Sequence, residues 1–476
     1  MRRFARVGMC LGLGICLGIG ITVAGRLATA APPEKRTEPA AENSAPRAKS
    51  PAAERGEQFL TETAYVPAIW GRSAYESLWK HWPNAPREKP ADYLAAIFDQ
   101  YGLPPAPYPN HGLPMGLRQA NSLLYRQGVT LDCMICHGGS IFGKSYVGLG
   151  NTTLDLQAVM EDFNRAEGRN PKTPYQFCQT RGTNEAGATS VYLLGYRNPD
   201  LSLRKFVNLD VNDNLCEDVP AWWLLKKKST MYYNGGADAR SVRSIMQFMM
   251  SPLNSRQAFE KAEPQFRDIL QFIKSIESPK YPLPVNRELA ALGATLFAQN
   301  CASCHGTYGD SPTYPNKVIS LAKIGTDPTR FNGVTPKFGE AYNASWFAQE
   351  ATDGAGKGYP AMETAGYQAP PLDGLWATAP YLHNGSCPTV YHVLNSAARP
   401  ARFTRSFRTT EADYDSVKLG WKVQVLSTPT PKQLPDRERR KIYDTALPGR
   451  SNQGHTYGDA LTDDERFAII EYLKTL

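Results

Sequence analysis

The chain has 476 residues, enough for two domains that each bury a core of their own. Apolar residues make up 42% and charged residues 21%, which is the ordinary balance of a globular protein rather than of a disordered one. The net charge of +8 comes without a basic cluster or a nucleic-acid-binding module. It therefore argues against a nucleic acid as partner and indicates solubility or docking to an acidic partner.

The first 30 residues have the pattern of a secretory signal peptide. Three arginines precede an apolar run from Val7 to Gly25, and Ala28-Thr29-Ala30 supplies a small-x-small cleavage site. An uncleaved membrane anchor is the alternative, because about 19 apolar residues can just span a bilayer. The many glycines of the run favour cleavage. We therefore expect a periplasmic or secreted protein, which meets a membrane only if this segment stays attached.

Residues 31–58 are predicted to be a disordered linker. They are mostly Ala, Pro, Glu, Lys and Ser with almost no large apolar residue, so they cannot bury enough apolar surface to fold. Folded sequence is expected to begin near Phe59. Helical patterns follow over Ala74–Trp82 and Ala91–Tyr101, and then comes a Pro- and Gly-rich loop from Gly102 to Gly116.

Two copies of one pentad carry the chemistry: Cys133-Met134-Ile135-Cys136-His137 and Cys301-Ala302-Ser303-Cys304-His305. Two cysteines at this spacing with an immediate histidine are the attachment signature of c-type haem. On a helical turn, positions i and i+3 share one face, so both thiols can reach the two vinyl groups of one porphyrin. A zinc or redox Cys-x-x-Cys is the alternative for a single copy, but two copies in an exported chain argue against it. The pattern predicts two covalently bound haems, with His137 and His305 as proximal iron ligands.

The stretch from Pro279 to Pro284 is predicted to link an N-terminal haem domain, residues 59–284, to a C-terminal one, residues 285–476. An amphipathic helix with apolar residues at i, i+3, i+4 and i+7 is expected to end before this linker. A second helix, Glu288 to Asn300, is expected to lead into the second pentad. Thr462-Asp463-Asp464-Glu465 is a capping box that opens a terminal helix. Strand patterns are few, so we expect a mainly α protein with cytochrome c-like domains and long irregular loops.

Nine cysteines divide among three roles. Cys10 and Cys16 leave with the signal peptide, and four others carry haem. In an oxidising compartment Cys178 and Cys216 can form a disulfide, which leaves Cys387 odd. Three buried thiols are the alternative.

A weak internal repeat lies downstream of the two pentads. The stretch Pro220 to Asn234 and the stretch Pro370 to Asn384 have equal length, and each ends in an asparagine that is followed by glycine. This match indicates two duplicated cytochrome domains. It places Tyr233 where the second copy has His383.

The pentads followed by Ala379-Pro380-Tyr381-Leu382-His383-Asn384-Gly385 resemble the bacterial di-haem cytochrome c peroxidase superfamily, which includes the methylamine dehydrogenase maturation enzyme. The longer string from Tyr367 to Ser386, together with Ser451-Asn452-Gln453-Gly454-His455, looks closer to the di-haem rubber oxygenase branch. The resemblance extends from about Gly102 to Leu476. It is specific for fold and cofactor, and less so for substrate.

The resemblance implies two haems that face each other with an aromatic residue between them. One iron would be open to substrate, and the other would be six-coordinate and pass electrons. The matching bridging position is Tyr233, where the peroxidases carry tryptophan. Trp222 and Trp223 lie close by in sequence, and ordinary core packing is the alternative for them.

A departure from the peroxidases concerns the distal acid. Peroxidases of the superfamily have a glutamate downstream of the bridging aromatic, but the corresponding stretch here, Met246 to Leu253, has no acid. Phe248 lies where the rubber oxygenase branch has an apolar distal residue, and plain core packing is the alternative. Glu260 and Glu263 are expected to open the next helix, where acids suit the helix dipole.

His455, in a Gly-rich loop before the terminal helix, is expected to ligate the second iron opposite His305. This expectation rests on the match of its loop to the rubber oxygenase branch, and Met362 is the alternative ligand. His383 is expected to lie beside the second haem without ligating it, and His392 to pack in a helix.

We therefore expect a di-haem c-type cytochrome with oxidoreductase chemistry of the peroxidase or oxygenase type, with Tyr233 and Phe248 serving catalysis. The first haem would bind and activate O2 or peroxide. The second would transfer or store electrons supplied by a redox partner protein or a small donor. A non-catalytic periplasmic electron carrier is the alternative. Calcium is compatible with the sequence but not indicated by it.

Overall fold

A computed structural model describes residues 48–351 and 358–476 of the chain. The predicted signal peptide, with Cys10 and Cys16, and the linker up to residue 47 lie outside the described residues. Residues Lys49–Leu476 form one compact unit. The finer division into domains 59–284 and 285–476 stays a prediction.

The helices of the described residues are numbered α1 to α16 in chain order. They are Pro51–Glu62, Arg72–Ser77, Tyr93–Tyr101, Met134–His137, Leu156–Ala166, Ala186–Leu194, Val242–Ile245, Arg256–Ser275, Arg287–Asn300, Ala302–His305, Leu321–Ile324, Thr329–Asn332, Pro336–Ala344, Val390–Leu394, Asp436–Arg440 and Asp463–Leu473. Short 3₁₀ helices cover Leu78–His81, Trp222–Lys227, Met246–Met249, Leu375–Ala377, Ser396–Ala398 and Glu411–Asp413. Within the described ranges, no helix combines the length and the apolar character needed to cross a bilayer.

The strands of the same residues are numbered β1 to β13. They are Leu117–Ala120, Gly128–Leu131, Gly138–Ile141, Lys144–Val147, Thr230–Met231, Ala237–Asp238, Val318–Ser320, Gly366–Gln368, Arg402–Thr404, Tyr414–Asp415, Gly420–Trp421, Gln424–Val425 and Ile442–Asp444. All pair antiparallel, as the two-stranded sheets β1-β2, β3-β4, β5-β6, β7-β8 and β10-β11 and the three-stranded sheet β12-β9-β13.

The fold is mixed rather than mainly α. Helix accounts for about 36% and strand for about 11% of the chain, so the expectation of a mainly α protein is only partly right. The strands have two to four residues each. Such short segments show no alternation of apolar and polar residues in the sequence, because alternation needs four to eight residues to be visible.

The terminal helix packs across the helix that precedes the second pentad. α16 lies against α9, and a Cβ added at Gly293 of α9 would lie 1.9 Å from the carbonyl oxygen of Ala468. The glycine therefore permits a close crossing of the two backbones. The predicted capping box is confirmed, since Thr462 and Glu465 bond each other's backbone N–H groups at the start of α16.

An equivalent pair of helices accompanies the first pentad. α1 lies against α8, and a Cβ at Gly56 would lie 2.0 Å from the carbonyl oxygen of Asp268. The order along the chain differs, because residues 63–132 lie between α1 and the first pentad, whereas α9 runs directly into the second. The two halves therefore use the same glycine-mediated helix crossing.

The predicted linker over residues 31–58 is wrong at its C-terminal end, because α1 begins at Pro51. Ser50 caps the helix by accepting from the N–H of Ala53, and proline suits the first helical position. The apolar face is built from small residues, and Leu60 is buried with them. Small side chains allow close packing on α8, and this same composition made the segment resemble a linker.

Each pentad borders an apolar core. Cys133, Trp222 and Phe248 pack against a cluster centred on α8. Cys301 packs against a second cluster, which combines α9 and α16 with buried aromatic residues such as Trp376. Haem attached at either pentad would thus be in contact with a core.

Candidate haem sites

The second pentad continues from α9, which ends at Asn300. The N–H of His305 donates to the carbonyl oxygen of Cys301 at 3.0 Å and closes the short helix α10. Cys301, Cys304 and His305 line one cavity. Burial raises the pKa of the Cys301 thiol to about 11. Both sulfurs thus face the same space as the imidazole, as covalent haem attachment requires.

His305 is oriented by a backbone carbonyl group. Its Nδ1 lies 2.8 Å from the carbonyl oxygen of Pro370. A carbonyl only accepts, so Nδ1 carries the proton and Nε2 is left for a metal. Burial also lowers the pKa of His305, which favours the neutral ring that a metal needs.

His455 faces His305 across the same cavity, although 150 positions separate them (455 − 305). The two ring centroids are 6.3 Å apart, with a tilt of 58° between the rings. If each ligating nitrogen lies about 2 Å from a metal and about 1 Å from its own ring centre, the centroids lie about 6 Å apart. The observed separation therefore fits one iron held between the two rings.

The loop that carries His455 is held by backbone contacts. The N–H of His455 donates to the carbonyl of Ile324 at 2.8 Å, and Arg399 donates to the carbonyls of Gly454 and His455. Gly454 has φ +77°, and a Cβ there would lie 2.2 Å from the carbonyl carbon of Gly325. Glycine is required at 454 for both reasons. Burial lowers the pKa of His455 to about 4.

The cavity between these groups has a volume of about 320 Å³. Apolar and aromatic side chains form most of its wall, including Phe297, Leu372, Tyr233 and Tyr367. Two cysteine sulfurs and two facing imidazoles in a largely apolar cavity are the donor set that c-type haem needs, so the residues present fit the group. Met362, the alternative ligand, is exposed and does not line the cavity.

The first pentad is held by a buried ion pair. Asp132 accepts from the N–H of Met134 at 2.9 Å and from the Arg118 guanidinium at 2.7 Å. Arg118 also donates to the carbonyls of Leu60 and Thr61 at the end of α1. Burial raises the pKa of Asp132, and the charge of Arg118 opposes this rise. The ion pair thereby fastens the pentad to α1.

His137, the predicted proximal ligand of the first site, stacks on Trp222. The ring centroids are 4.7 Å apart and 26° from parallel. Burial lowers the pKa of His137 to about 4, and the Pro220 carbonyl partly offsets this lowering. That carbonyl lies outside good hydrogen-bond geometry, since Nδ1 is without a partner among the described residues. Pro220 and Pro370 are the first residues of the two repeat copies. The Pro220 carbonyl lies beside His137, and the Pro370 carbonyl lies beside His305.

The internal repeat is visible in backbone geometry at positions 150 residues apart. Tyr232 and Leu382 are both left-handed, with φ of 66° and 65°, and the glycines that follow three residues later have φ of 68° and 73°. Met231 pairs with Ala237 as Tyr381 pairs with Cys387. Non-glycine residues adopt positive φ only where the surroundings impose it. The two segments are therefore copies of one turn.

The two copies also bond each other reciprocally. The N–H of Gln368 donates to the carbonyl of Tyr233 at 2.7 Å, and the N–H of Asp218 donates to the carbonyl of His383 at 2.8 Å. Asp218 and Gln368 are equivalent positions (218 + 150 = 368), as are Tyr233 and His383. This exchange relates the copies by a local two-fold axis.

Tyr233 lies where the copies meet. Its ring is 6.1 Å from that of His383, edge to face, and its hydroxyl donates to the carbonyl of Asp218 at 2.6 Å. It lines the cavity of the second site. His383 also lines this cavity, stacked on Tyr367 with its Nε2 unpartnered among the described residues. The bridging role of Tyr233 stays a prediction.

Phe248 lies in the apolar surroundings of the first pentad. It packs with Cys133 against the same cluster, and its ring is 6.0 Å from Phe266. Met246, Met249 and Met250 of the same segment are buried. The segment is therefore apolar and largely buried, and the distal role of Phe248 stays a prediction.

Both glutamates discussed as a possible distal acid, Glu260 and Glu263, are held in ion pairs. Glu260 pairs with Arg256 and is largely exposed, and Glu263 pairs with Arg243 and Arg267. Both acids thus take part in ion pairs on α8. The prediction that they open this helix is wrong, because α8 begins at Arg256 and its first turn holds no acid.

Asp218 is a site residue that sequence reasoning missed. It is 6% exposed, lines the second cavity, and its Oδ1 has no partner among the described residues. Burial raises its pKa well above the ordinary value, and Arg405 only partly opposes this rise. Extending the repeat two residues upstream of Pro220 would have shown it as the acid that replaces Gln368.

The remaining thiols are free, as the alternative to a disulfide predicted. Cys178 donates to the Thr180 carbonyl, while Cys216 lies near the Asn384 carbonyl and the Tyr443 hydroxyl. These partners hold the two sulfurs in different surroundings. Cys387 is also buried and free.

His392 packs in α14 with Nδ1 2.7 Å from the Thr389 hydroxyl, as expected. Across residues 48–351 and 358–476, no cluster of three His, Cys, Asp or Glu side chains could hold a separate metal ion.

The second pentad lies in a part of the chain that matches a known protein family. The family described as "Cytochrome c" matches residues 290–384, and the family described as "RoxA-like, cytochrome c-like" matches residues 366–404. The second half contains a c-type cytochrome domain. Covalently bound c-type haem is its cofactor, and haem-based electron transfer is its chemistry.

Two curated proteins are similar over part of their length. The uncharacterized protein y4iM of Sinorhizobium fredii is 29% identical over 302 residues, covering 54% of this chain and 64% of the relative. The uncharacterized protein y4iJ of the same organism is 29% identical over 263 residues, covering 42% and 41%. The chain thus spans less than two thirds of the length of either relative.

Proposed function

We propose that this cytochrome is an exported di-haem oxidoreductase that activates O2 or peroxide at its first haem and transfers or stores electrons at its second. One observation carries the proposal. The rings of His305 and His455 face each other, with 6.3 Å between their centroids, across the cavity lined by Cys301 and Cys304. When bound, c-type haem supplies an iron that exchanges single electrons and, where one axial face is open, takes up small ligands.

The second site would be closed to substrate. His305 and His455 would both hold the iron, with Nδ1 of His305 held by a carbonyl group. Two imidazoles held by backbone contacts need not rearrange when the oxidation state changes. This arrangement suits electron transfer or storage.

The first site would be open on the side opposite His137. The ring contact of His137 is with Trp222, and no second imidazole faces it among the described residues. Phe248 and the buried methionines give this neighbourhood an apolar wall. Such a wall favours a small apolar ligand such as O2, or an apolar substrate.

Peroxide chemistry is the less favoured use of the first site. Cleavage of the O–O bond is helped by a positioned acid, which contributes on the order of 10²–10⁴-fold. The segment Met246 to Leu253 has no acid, and Glu260 and Glu263 are held in ion pairs. Oxygenation of an apolar substrate therefore fits better than peroxide reduction.

The test compares CO binding to the reduced protein in the wild type, Phe248→Ala and Phe206→Ala. Phe206 is 41% exposed and serves as the matched control. We expect one of two haems to bind CO, at a rate changed by Phe248→Ala and not by the control, while the spectrum of the His305 haem stays constant. Fast peroxide turnover that is lost in Glu260→Gln or Glu263→Gln would instead support a peroxidase.

A periplasmic electron carrier is the second candidate, and the match of residues 290–384 to "Cytochrome c" favours it. A carrier needs both irons six-coordinate. Low-spin spectra for both haems, with no CO binding, would establish it in place of the oxygenase.

A further inference from the structure

A second, much smaller cavity lies beside the cavity of the second site, and Pro380 lines both. Its volume is about 20 Å³, which is room for about one water molecule or one monoatomic ion. Its walls come from distant parts of the chain, residues 152–183 on one side and residues 380–443 on the other. It is therefore formed by the tertiary fold and by no local motif.

Two arginines line this cavity without ion-pair partners. Arg181 is 7% exposed and donates to the carbonyls of Thr153 and Asp99. Arg405 donates to the Thr152 carbonyl, while its Nη1 is buried and has no partner among the described residues. Neither guanidinium forms an ion pair with any described carboxylate.

Both guanidinium groups lie against the same aromatic ring. The guanidinium carbons of Arg181 and Arg405 lie 4.5 and 4.9 Å from the centroid of Phe407. Arg405 also lies 4.8 Å from the ring of Trp421. Ring contacts of this kind orient a cation but do not neutralise its charge.

The charge at this place is unbalanced. Burial, and then the neighbouring Arg181, lower the pKa of Arg405 to about 9, and Asp218 and Asp413 oppose this lowering without bonding to it. Lys441 adds a third cation to the wall, though its ammonium group is paired with Glu438. Buried charges in folded proteins are generally paired, because an unpaired one is costly.

We propose that this cavity binds a monoatomic anion of the size of chloride between Arg181 and Arg405. The anion would accept from Nη1 of Arg405 and balance the two guanidinium charges. The small volume favours a monoatomic anion over phosphate or sulfate. A water molecule could accept the same hydrogen bond but would leave the charge uncompensated. Because the walls come from both halves of the chain, the bound anion would join them and stabilise the fold, independently of the function proposed above.

The first test measures thermal unfolding of the purified holoprotein against chloride, with gluconate keeping ionic strength constant. A ligand that binds only the folded state stabilises it in proportion to ln(1 + [L]/Kd). We expect the melting temperature to rise and saturate in the wild type. Arg405→Gln removes a charge-assisted hydrogen bond, so its apparent affinity should be at least about tenfold weaker.

The matched control is Arg408→Gln. Arg408 lies in the same segment, is 69% exposed in its side chain and does not line the cavity. We expect it to respond to chloride as the wild type does. The haem absorption bands should stay constant through the titration, which separates this site from any binding of chloride at an iron.

The second test needs no variant. Crystals grown with bromide in place of chloride should show an anomalous peak between the two guanidinium groups. Arg405→Lys, which keeps a cation, serves if the glutamine variant does not fold, and it should keep a response to chloride. An ordered water without anomalous signal, or equal chloride responses in the wild type and Arg405→Gln, would overturn the proposal.

Discussion

In the proposed function, the electronic state of the second haem depends on His455. Replacing His455 by alanine would remove one of the two imidazoles proposed to hold the iron, so we expect this haem to change from low spin to high spin. The measurement is the optical and EPR spectrum of the oxidised protein. Met362→Ala is the matched control, because Met362 is exposed outside the cavity. A near-infrared methionine–iron band that disappears in Met362→Ala would show the ligand to be methionine.

Asp218 should make stability depend on pH. Burial raises its pKa well above the ordinary value, so the folded protein keeps this proton at a pH where the unfolded chain has lost it. The stability it contributes is fully present below the unfolded pKa, about 4, and is lost as pH rises through the folded pKa.

Asp218→Asn, which cannot ionise, should therefore melt higher than the wild type at neutral pH, and the difference should disappear toward pH 4. The measurement is thermal unfolding of the holoprotein as a function of pH. Asp210→Asn, with a side chain 53% exposed, should show no such trend. An equal difference at every pH would mean that Asp218 is already ionised in the folded protein.

At the scale of elements, each glycine crossing stabilises one core. The crossing of α1 with α8 lies in the core beside the first pentad, and the crossing of α9 with α16 lies in the core beside the second. Gly293→Ala would press a methyl group against the carbonyl of Ala468, at 1.9 Å before any relaxation. We expect a loss of about 1–3 kcal/mol in the free energy of unfolding, as for other overpacked positions.

The control for this prediction is Gly339→Ala in α13. An added Cβ at Gly339 meets nothing within 4 Å, and alanine in a helix is favoured over glycine by about 0.5–1 kcal/mol. Chemical denaturation of both variants measures the contrast. Similar stability changes in the two variants would mean that the crossing of α9 and α16 tolerates a side chain.

For the whole molecule, the number of haems is the decisive quantity. Replacing Cys301 and Cys304 by alanine removes both thiols of the second pentad, so the pyridine haemochrome assay should fall from two haems per chain to one. Cys178→Ala, at a buried thiol outside the pentads, should keep two. Two haems in the double variant would end the assignment of the second pentad. Because a haem bound at the second pentad would contact the core around Trp376, we also expect the double variant to unfold more easily.

Local chemistry in the sequence already determined the pentads, each with its histidine next to the second cysteine, and the capping box at Thr462. These features depend on residues within a few positions of one another, so covalent geometry and helical spacing are enough to predict them. The repeat between Pro220 and Pro370 was also visible, because duplicated turns keep their length and their Asn-Gly pairs.

Only the tertiary structure decided which distant residues meet. It brought His455 to His305 and left Met362 exposed, although the sequence allowed either. It turned part of a linker-like composition into α1, because burial against α8 outweighs a weak local preference. It also buried Asp218 and the Nη1 of Arg405 without ion pairs among the described residues, since burial and pairing depend on elements far apart in the chain. Spacing along the sequence does not show which distant residues come into contact, because the free energy of packing determines those contacts.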